Sequence, residues 1–234
     1  MPEPAILFNN FSYKYEDGTE ALNNVSFSIA RNESVGLIGH NGSGKTTLLM
    51  HIVGILEPNS QVQVSGLPVT KNNLKEIRWK VGYVFENPRD QLFMSTVAND
   101  VAFGLLNTEM SAQKALKKAE HALDSVGLHG FGKRISYHLS SGEMCRAAIA
   151  TVLAMSPEII VMDEPSSGLD PRAKRELATL INGLECTKLI SSHDLEVIRE
   201  CTDKIILLNK GKVSVEGHTE KILDNKELLI ANGL

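Results

Sequence analysis

Eight consecutive residues, Gly39-His40-Asn41-Gly42-Ser43-Gly44-Lys45-Thr46, carry the densest chemical information in this chain. They fit G-x-x-x-x-G-K-[ST], the pattern of a phosphate-binding loop. Glycines at these places let the backbone curl until successive N–H groups point inward at phosphate oxygens, and a helix starting at the loop adds its partial positive charge. Lys45 is spaced to reach the β- and γ-phosphates and the Thr46 hydroxyl to ligate Mg²⁺, with Thr47 beside it in the same binding segment. The chemistry expected is the binding of a nucleoside triphosphate.

Further along, Ile159-Ile160-Val161-Met162 runs directly into Asp163-Glu164. Four apolar residues followed by two acids read as a buried strand delivering carboxylates to the C-terminal edge of a sheet, where open α/β folds bind ligands. Asp163 suits Mg²⁺ held through water, and Glu164 suits a general base or an orienter of the attacking water. His193, in Ile190-Ser191-Ser192-His193-Asp194, suits either a contact to the γ-phosphate or an ordinary place beside a helix cap. Leu139-Ser140-Ser141-Gly142-Glu143 opens a helix, with Ser140 or Ser141 as N-cap and Glu143 complementing the dipole. The same N-terminus suits a phosphate supplied by another subunit, and spacing alone leaves both readings open.

The elements that must position these groups alternate between short apolar runs and helical patterns, which predicts an α/β fold with a mainly parallel sheet. Ser34–Ile38, Val81–Phe85, Ile159–Met162, Lys188–Ser191 and Ile205–Leu208 are the core strand candidates. The N-terminal part differs: Ala5–Phe8, the stretch around Phe11 to Tyr15, and Val25–Ile29, with the turn Glu16–Thr19, predict an antiparallel β layer, joined by a strand at Val62–Val64. Helices are expected near 96–107, 111–126 and 142–155, with Ser111 starting the second and Gly127 ending it. They form a helical subdomain at about 90–157, inserted into one domain spanning residues 1–234, with a short polar helical tail at about 219–234.

With 234 residues and 42% hydrophobic content, the chain can build one large core. Its net charge of −4 argues against a nucleic-acid binder. Three scattered cysteines without a C-x-x-C read as reduced thiols of a cytosolic protein. The longest apolar stretch, Ala147 to Met155, is too short to span a bilayer, so a membrane role would come through a partner.

Together, the loop at 39–46, Leu139–Glu143, Asp163-Glu164-Pro165, Ser167-Gly168-Leu169-Asp170 and His193 resemble, in order, the motifs of ATP-binding cassette (ABC) ATPases. The resemblance runs from Ile6 to about Gly217 and implies a P-loop NTPase core binding ATP and Mg²⁺. It implies a head-to-tail dimer with a second ABC ATPase subunit, alike or different, in which each ATP lies between one subunit's phosphate loop and the other's Ser140 and Gly142. Tyr15 matches the aromatic that stacks on adenine, with Tyr13 as its rival. Phe85–Phe93 and Val97–Gly104 are similar to a narrower group, the ATPase subunits of energy-coupling-factor importers of cobalt, nickel or vitamins. That similarity implies a peripheral place on the cytoplasmic face of the membrane, a transmembrane coupling protein docking near Arg89–Phe93, and a substrate-binding membrane protein. The alternative is an ATP-gated clamp in a soluble complex.

Three positions depart from the family pattern. Glu86 stands where a glutamine reaches Mg²⁺ and the attacking water; it remains a good Mg²⁺ ligand but crowds Asp163 and Glu164, which is expected to raise a neighbouring pKa. Ser141 replaces a glycine and Glu143 a glutamine. Glu86 serves the ATP held by this chain, whereas Ser141 and Glu143 serve the partner's, so two unlike subunits would turn over unequally.

Overall fold

The computed structural model describes residues 3–234. Strands β1 (Ile6–Lys14) and β2 (Glu20–Ile29) pair antiparallel, and β1 continues through β4 (Val62–Val64) to β5 (Leu67–Pro68). The two N-terminal strands expected at Ala5–Phe8 and Phe11–Tyr15 are one strand. Asn10 takes a left-handed backbone conformation (φ 50°), and the register slips between Phe8 and Phe11, so the chain bulges without leaving the sheet.

β3 (Ser34–Ile38) lies inside a second sheet, between β9 (Lys204–Asn209) and β8 (Thr187–Ser191). β7 (Ile159–Asp163) and β6 (Val81–Val84) extend it parallel on one side, and β10 (Lys212–His218) closes the other side antiparallel to β9. The strands of this sheet other than β10 read as near-continuous apolar runs because both faces are covered. Their side chains still alternate between two cores. Val35, Leu37, Ile159, Val161, Leu189, Ile206 and Leu208 face the N-terminal β layer. Ile38, Ile160, Met162, Ile190, Ile205 and Leu207 face the helices on the opposite side.

Helix α1 (Lys45–Ile52) follows β3, and α2 (Leu74–Lys80) precedes β6. Between β6 and β7 come α3 (Val97–Leu106), α4 (Ala112–Ser125) and α5 (Ser141–Leu153). Ser111 is the N-cap of α4, but its side chain makes no capping bond. Gly127, at φ 74°, follows the C-cap, with Leu128 N–H bonded to Leu123 O and Gly127 N–H to Asp124 O, the reciprocal pair of a Schellman end. α6 (Pro171–Asn182) and α7 (Leu195–Cys201) connect β7 to β8 and β8 to β9. The tail is two short helices, α8 (Thr219–Leu223) and α9 (Lys226–Ala231). It is less polar in place than its composition suggests, since Ile222, Leu223 and Leu229 are buried in the core.

Candidate nucleotide site

β3 ends at Ile38 and the chain enters the glycine-rich loop, leaving it as α1 with Gly44 as N-cap. A Cβ at Gly44 (φ 106°) would lie 2.6 Å from the carbonyl oxygen of Ala21, and one at Gly39 (φ 155°) 2.2 Å from that of Leu208. No other residue fits this curl. The first N–H groups of α1 have no intrahelical acceptor, and no side chain caps them. Ser43 Oγ is buried without a hydrogen-bond partner. An unfilled donor beside an uncapped helix start suits a phosphate. The loop is also anchored from behind: Gly211 N–H donates to Ser43 O, and Gly211 O accepts from Asn23 N–H.

Above the loop lies a cleft of about 650 Å³ lined by Tyr15, Asn41, Gly42, Gly44, Lys45, Thr46, Thr47, Glu86, Glu164 and His193. Thr19, Glu20, Ala21 and Ser167 complete it. Lys45 is nearly buried, donating from Nζ to Gly39 O at 2.9 Å and standing 3.6 Å from Glu164 Oε1. Glu164 holds a strained left-handed backbone (φ 45°), fixed by its N–H bonds to Ser191 O and Ser191 Oγ, both 3.0 Å. Its Oε2 accepts from His193 N–H at 3.1 Å and meets His193 Nδ1 at 2.8 Å. The histidine ring itself is mostly exposed to the cleft.

Asp163 lies deeper, below the cleft wall, where it accepts from Ser191 Oγ at 2.5 Å and from the Tyr83 hydroxyl at 3.4 Å. Burial, with the Asp163 and Glu86 carboxylates nearby, holds the Tyr83 phenol well above its ordinary pKa. Of the two candidate aromatics, Tyr15 reaches the cleft, with its hydroxyl 2.9 Å from Thr47 Oγ1. Tyr13 instead packs edge-on against Tyr15 and against the buried His51.

Gly39, His40 and Ser43 shape the loop without lining the cleft. His40 Nδ1 pairs with Asn41 O. Ser140 and Gly142 also lie outside it, at the start of α5. Ser140, not Ser141, is the cap: its hydroxyl accepts from Glu143 N–H, while Glu143 Oε2 takes the Ser140 N–H at 2.7 Å and hydroxyl at 2.8 Å. The Ser140 N–H, foremost, holds the Glu143 carboxyl below its usual range.

The segment expected at Arg89–Phe93 divides: Asp90, Gln91 and Phe93 line an outward groove, whereas Arg89 and Leu92 do not. Leu92 is in the core. Gln91 is consumed by Phe85 N–H, Ala148 O and Thr151 Oγ1, because it fastens this segment to α5. Arg89 faces a different crevice, beside Glu86 and Ser141. Phe93 does face outward, 56% exposed, edge-on to Phe103, in a groove of about 250 Å³ that Trp79 and Met155 also line. Trp79 had no place in the sequence reading and Phe103 entered it only within the Val97–Gly104 segment, although large aromatics on short helices flanking a candidate docking loop are a readable signal.

The ABC transporter family matches residues 22–167. A Geobacter sulfurreducens protein named, provisionally, as an ABC transporter ATP-binding protein is 46% identical over 98% of this chain and 92% of its own length. The energy-coupling factor transporter ATP-binding protein EcfA of Carboxydothermus hydrogenoformans is 43% identical over 98% of this chain and 86% of its own. Among solved structures, cbiO1 of Clostridium perfringens, described as part of the ABC transporter complex cbiONQ, matches with a TM-score of 0.86 at 30% identity, covering 98% of this chain and 94% of that one. A dimeric ATP-binding cassette in a post-hydrolysis state, bound to ADP and Pi, matches with a TM-score of 0.82 at 29% identity, covering 92% and 98%. Matched in this way over nearly all its length, the chain belongs to the ABC transporter family, among the subunits that bind and hydrolyse ATP.

Proposed function

We propose that this ATPase energises membrane import of a small micronutrient, a transition-metal ion or a vitamin, through a transmembrane coupling partner. The observation that carries the coupling is the exposed aromatic groove of Trp79, Phe93 and Phe103, joined by a short segment to Glu86 in the cleft. The names of the EcfA and cbiO1 relatives support import. On this reading the chain sits peripherally on the cytoplasmic face of the membrane. No helix among the described residues is long and apolar enough to cross it.

Tyr15 stacks on adenine, and the 39–47 segment wraps the phosphates, with Lys45 on the β- and γ-phosphates. Thr46, Glu86 and Asp163 are the oxygen donors for Mg²⁺, which when bound neutralises charge on the β- and γ-phosphate oxygens. Glu164 orients the attacking water and takes its proton as the bond from the γ-phosphorus to the bridging oxygen breaks. His193 holds Glu164 and faces the γ-phosphate. Ser140 and Gly142 meet the ATP of a second cassette, alike or different, and a substrate-binding membrane protein completes the complex.

The test is gentle purification of the tagged chain from detergent-solubilised native membranes, with mass spectrometry of its companions. A polytopic membrane protein with a small substrate-binding one is the expected result. Recovery only from the soluble fraction, without a membrane partner, would overturn it.

A further inference from the structure

Asp100 stands in the first turn of α3, 3% exposed, and none of its hydrogen bonds among the described residues is with a cation. A buried carboxylate survives only if hydrogen bonds replace its water. Here three do. Oδ1 accepts the backbone N–H groups of Phe93 at 2.8 Å and Met94 at 2.7 Å, and Oδ2 accepts the Ser136 hydroxyl at 2.6 Å. Phe93 is the exposed aromatic of the groove. Ser136 is buried and opens the single helical turn Ser136–His138, which leads through Leu139 to the Ser140 cap. The start of α3 binds the same segment twice more, Val97 N–H to Arg134 O and Ala98 N–H to Gly132 O.

We propose that Asp100 is a positioning residue that fastens the outward groove to the Ser140–Gly142 segment, so that the two move as one body. Two charge-assisted bonds fix the backbone under Phe93 and a third fixes the approach to Ser140, all three through one short side chain. A push on Phe93 thereby reaches the residues that meet a second cassette's nucleotide, without passing through this chain's own phosphate loop. The functional part of this inference rests on the two-cassette reading above.

The test compares Ser136→Ala, Asp100→Ala and Asp100→Asn in a Glu164→Gln parent. Amide hydrogen exchange on the single chain reads the tie directly. Ser136→Ala is expected to speed exchange at residues 139–144 about tenfold while leaving the amides of β3 unchanged. The same variant is expected to keep its own ATP affinity within about twofold and to weaken ATP-driven association, read by sedimentation, about tenfold. Asp100→Ala should lose more. Asp100→Asn retains Oδ1 for both amides and turns the third bond round, so it is expected to stay close to the parent. Unchanged exchange at 139–144 in Ser136→Ala would overturn the tie. Faster exchange with unchanged association would overturn its role in positioning. If Asp100→Ala does not fold, Ser136→Ala alone decides. A parent that stays monomeric with ATP faults the two-cassette reading instead, and the exchange comparison still decides the tie.

Discussion

Lys45 Nζ lies 3.6 Å from Glu164 Oε1, with both side chains less than a tenth exposed. A buried cation and a buried carboxylate at this range neutralise each other, and removing one leaves the other uncompensated. A triphosphate drawn to Lys45 therefore exchanges one anionic partner for another. Glu164→Gln is expected to bind ATP as well as the parent or a few-fold tighter, because Lys45 is then free for phosphate. Hydrolysis should fall by about two to three orders of magnitude, from loss of the base. Equilibrium binding and single-turnover hydrolysis on one preparation separate the two effects, and near-normal turnover would remove Glu164 from the role.

Glu164 Oε2 is held by both the main-chain N–H and the ring of His193. His193→Ala keeps the first and loses the second. The expected outcome is a fall in kcat of about ten- to a hundredfold with KM little changed, since the ring acts on the carboxylate and not on ground-state binding. A variant that raised KM alone would place the histidine in binding.

Tyr15 and Tyr13 differ in where they face, so their truncations should differ in kind. Tyr15→Ala is expected to weaken ATP binding about fivefold while inorganic triphosphate binds as before, from the loss of aromatic contact worth about 1 kcal/mol. Tyr13→Ala is expected to lower the melting temperature instead, because that ring packs on His51 at 4.4 Å.

His51 is 1% exposed, with neither ring nitrogen partnered, and burial pushes its pKa down to about 4. The unfolded chain takes up this proton near pH 6.5, while the folded chain resists until about pH 4. Stability should thus be insensitive to this group above pH 6.5 and fall by roughly 2–3 kcal/mol as pH drops to 4. His51→Leu is expected to flatten that acid limb and to match or exceed the parent at pH 7. Urea titrations at a series of pH values measure it, and an unchanged acid limb would count against the assignment.

Glu143 carries its charge beside Ser140, on the segment proposed to meet a partner's phosphates. Glu143→Gln keeps an acceptor for the Ser140 N–H and removes the repulsion. ATP-driven association should tighten about three- to tenfold and become less dependent on salt. Sedimentation at two ionic strengths reads both.

What could be read from the chain follows the range of the forces involved. The loop at 39–46 and the strand before Asp163 are local: eight residues hold the whole curl, and unbroken apolar runs mark strands covered on both faces. α2 went unread because it is seven residues long and buries only Ile77. β10 went unread because it is an edge strand whose side chains are all at least partly exposed. α6 also went unread, although Asp170-Pro171 marks its start and the Asp170 carboxylate caps two N–H groups. Glu164 and His193 are each legible as residues that could do chemistry, but the grip of His193 on Glu164 joins positions 29 apart and has no local signature. The same holds for Asp100, whose Ser136 partner is 36 residues away. Tyr15 is preferred to Tyr13 on resemblance alone, since β1 bulges between them and the start of the strand and periodicity does not say which ring faces the cleft.

The hairpin between β9 and β10 turns on two residues, Lys210 and Gly211, both with positive φ, the tightest connection two antiparallel strands allow. Gly211 is also the peptide that joins Ser43 to Asn23. The tip of an outer hairpin is normally where a chain tolerates extra length. This one serves as the gauge block between β2 and the glycine-rich loop, and it has no slack. One residue added there, at a turn whose Gly211 lies against the Ala21 carbonyl, would shift the glycine-rich loop relative to the N-terminal β layer.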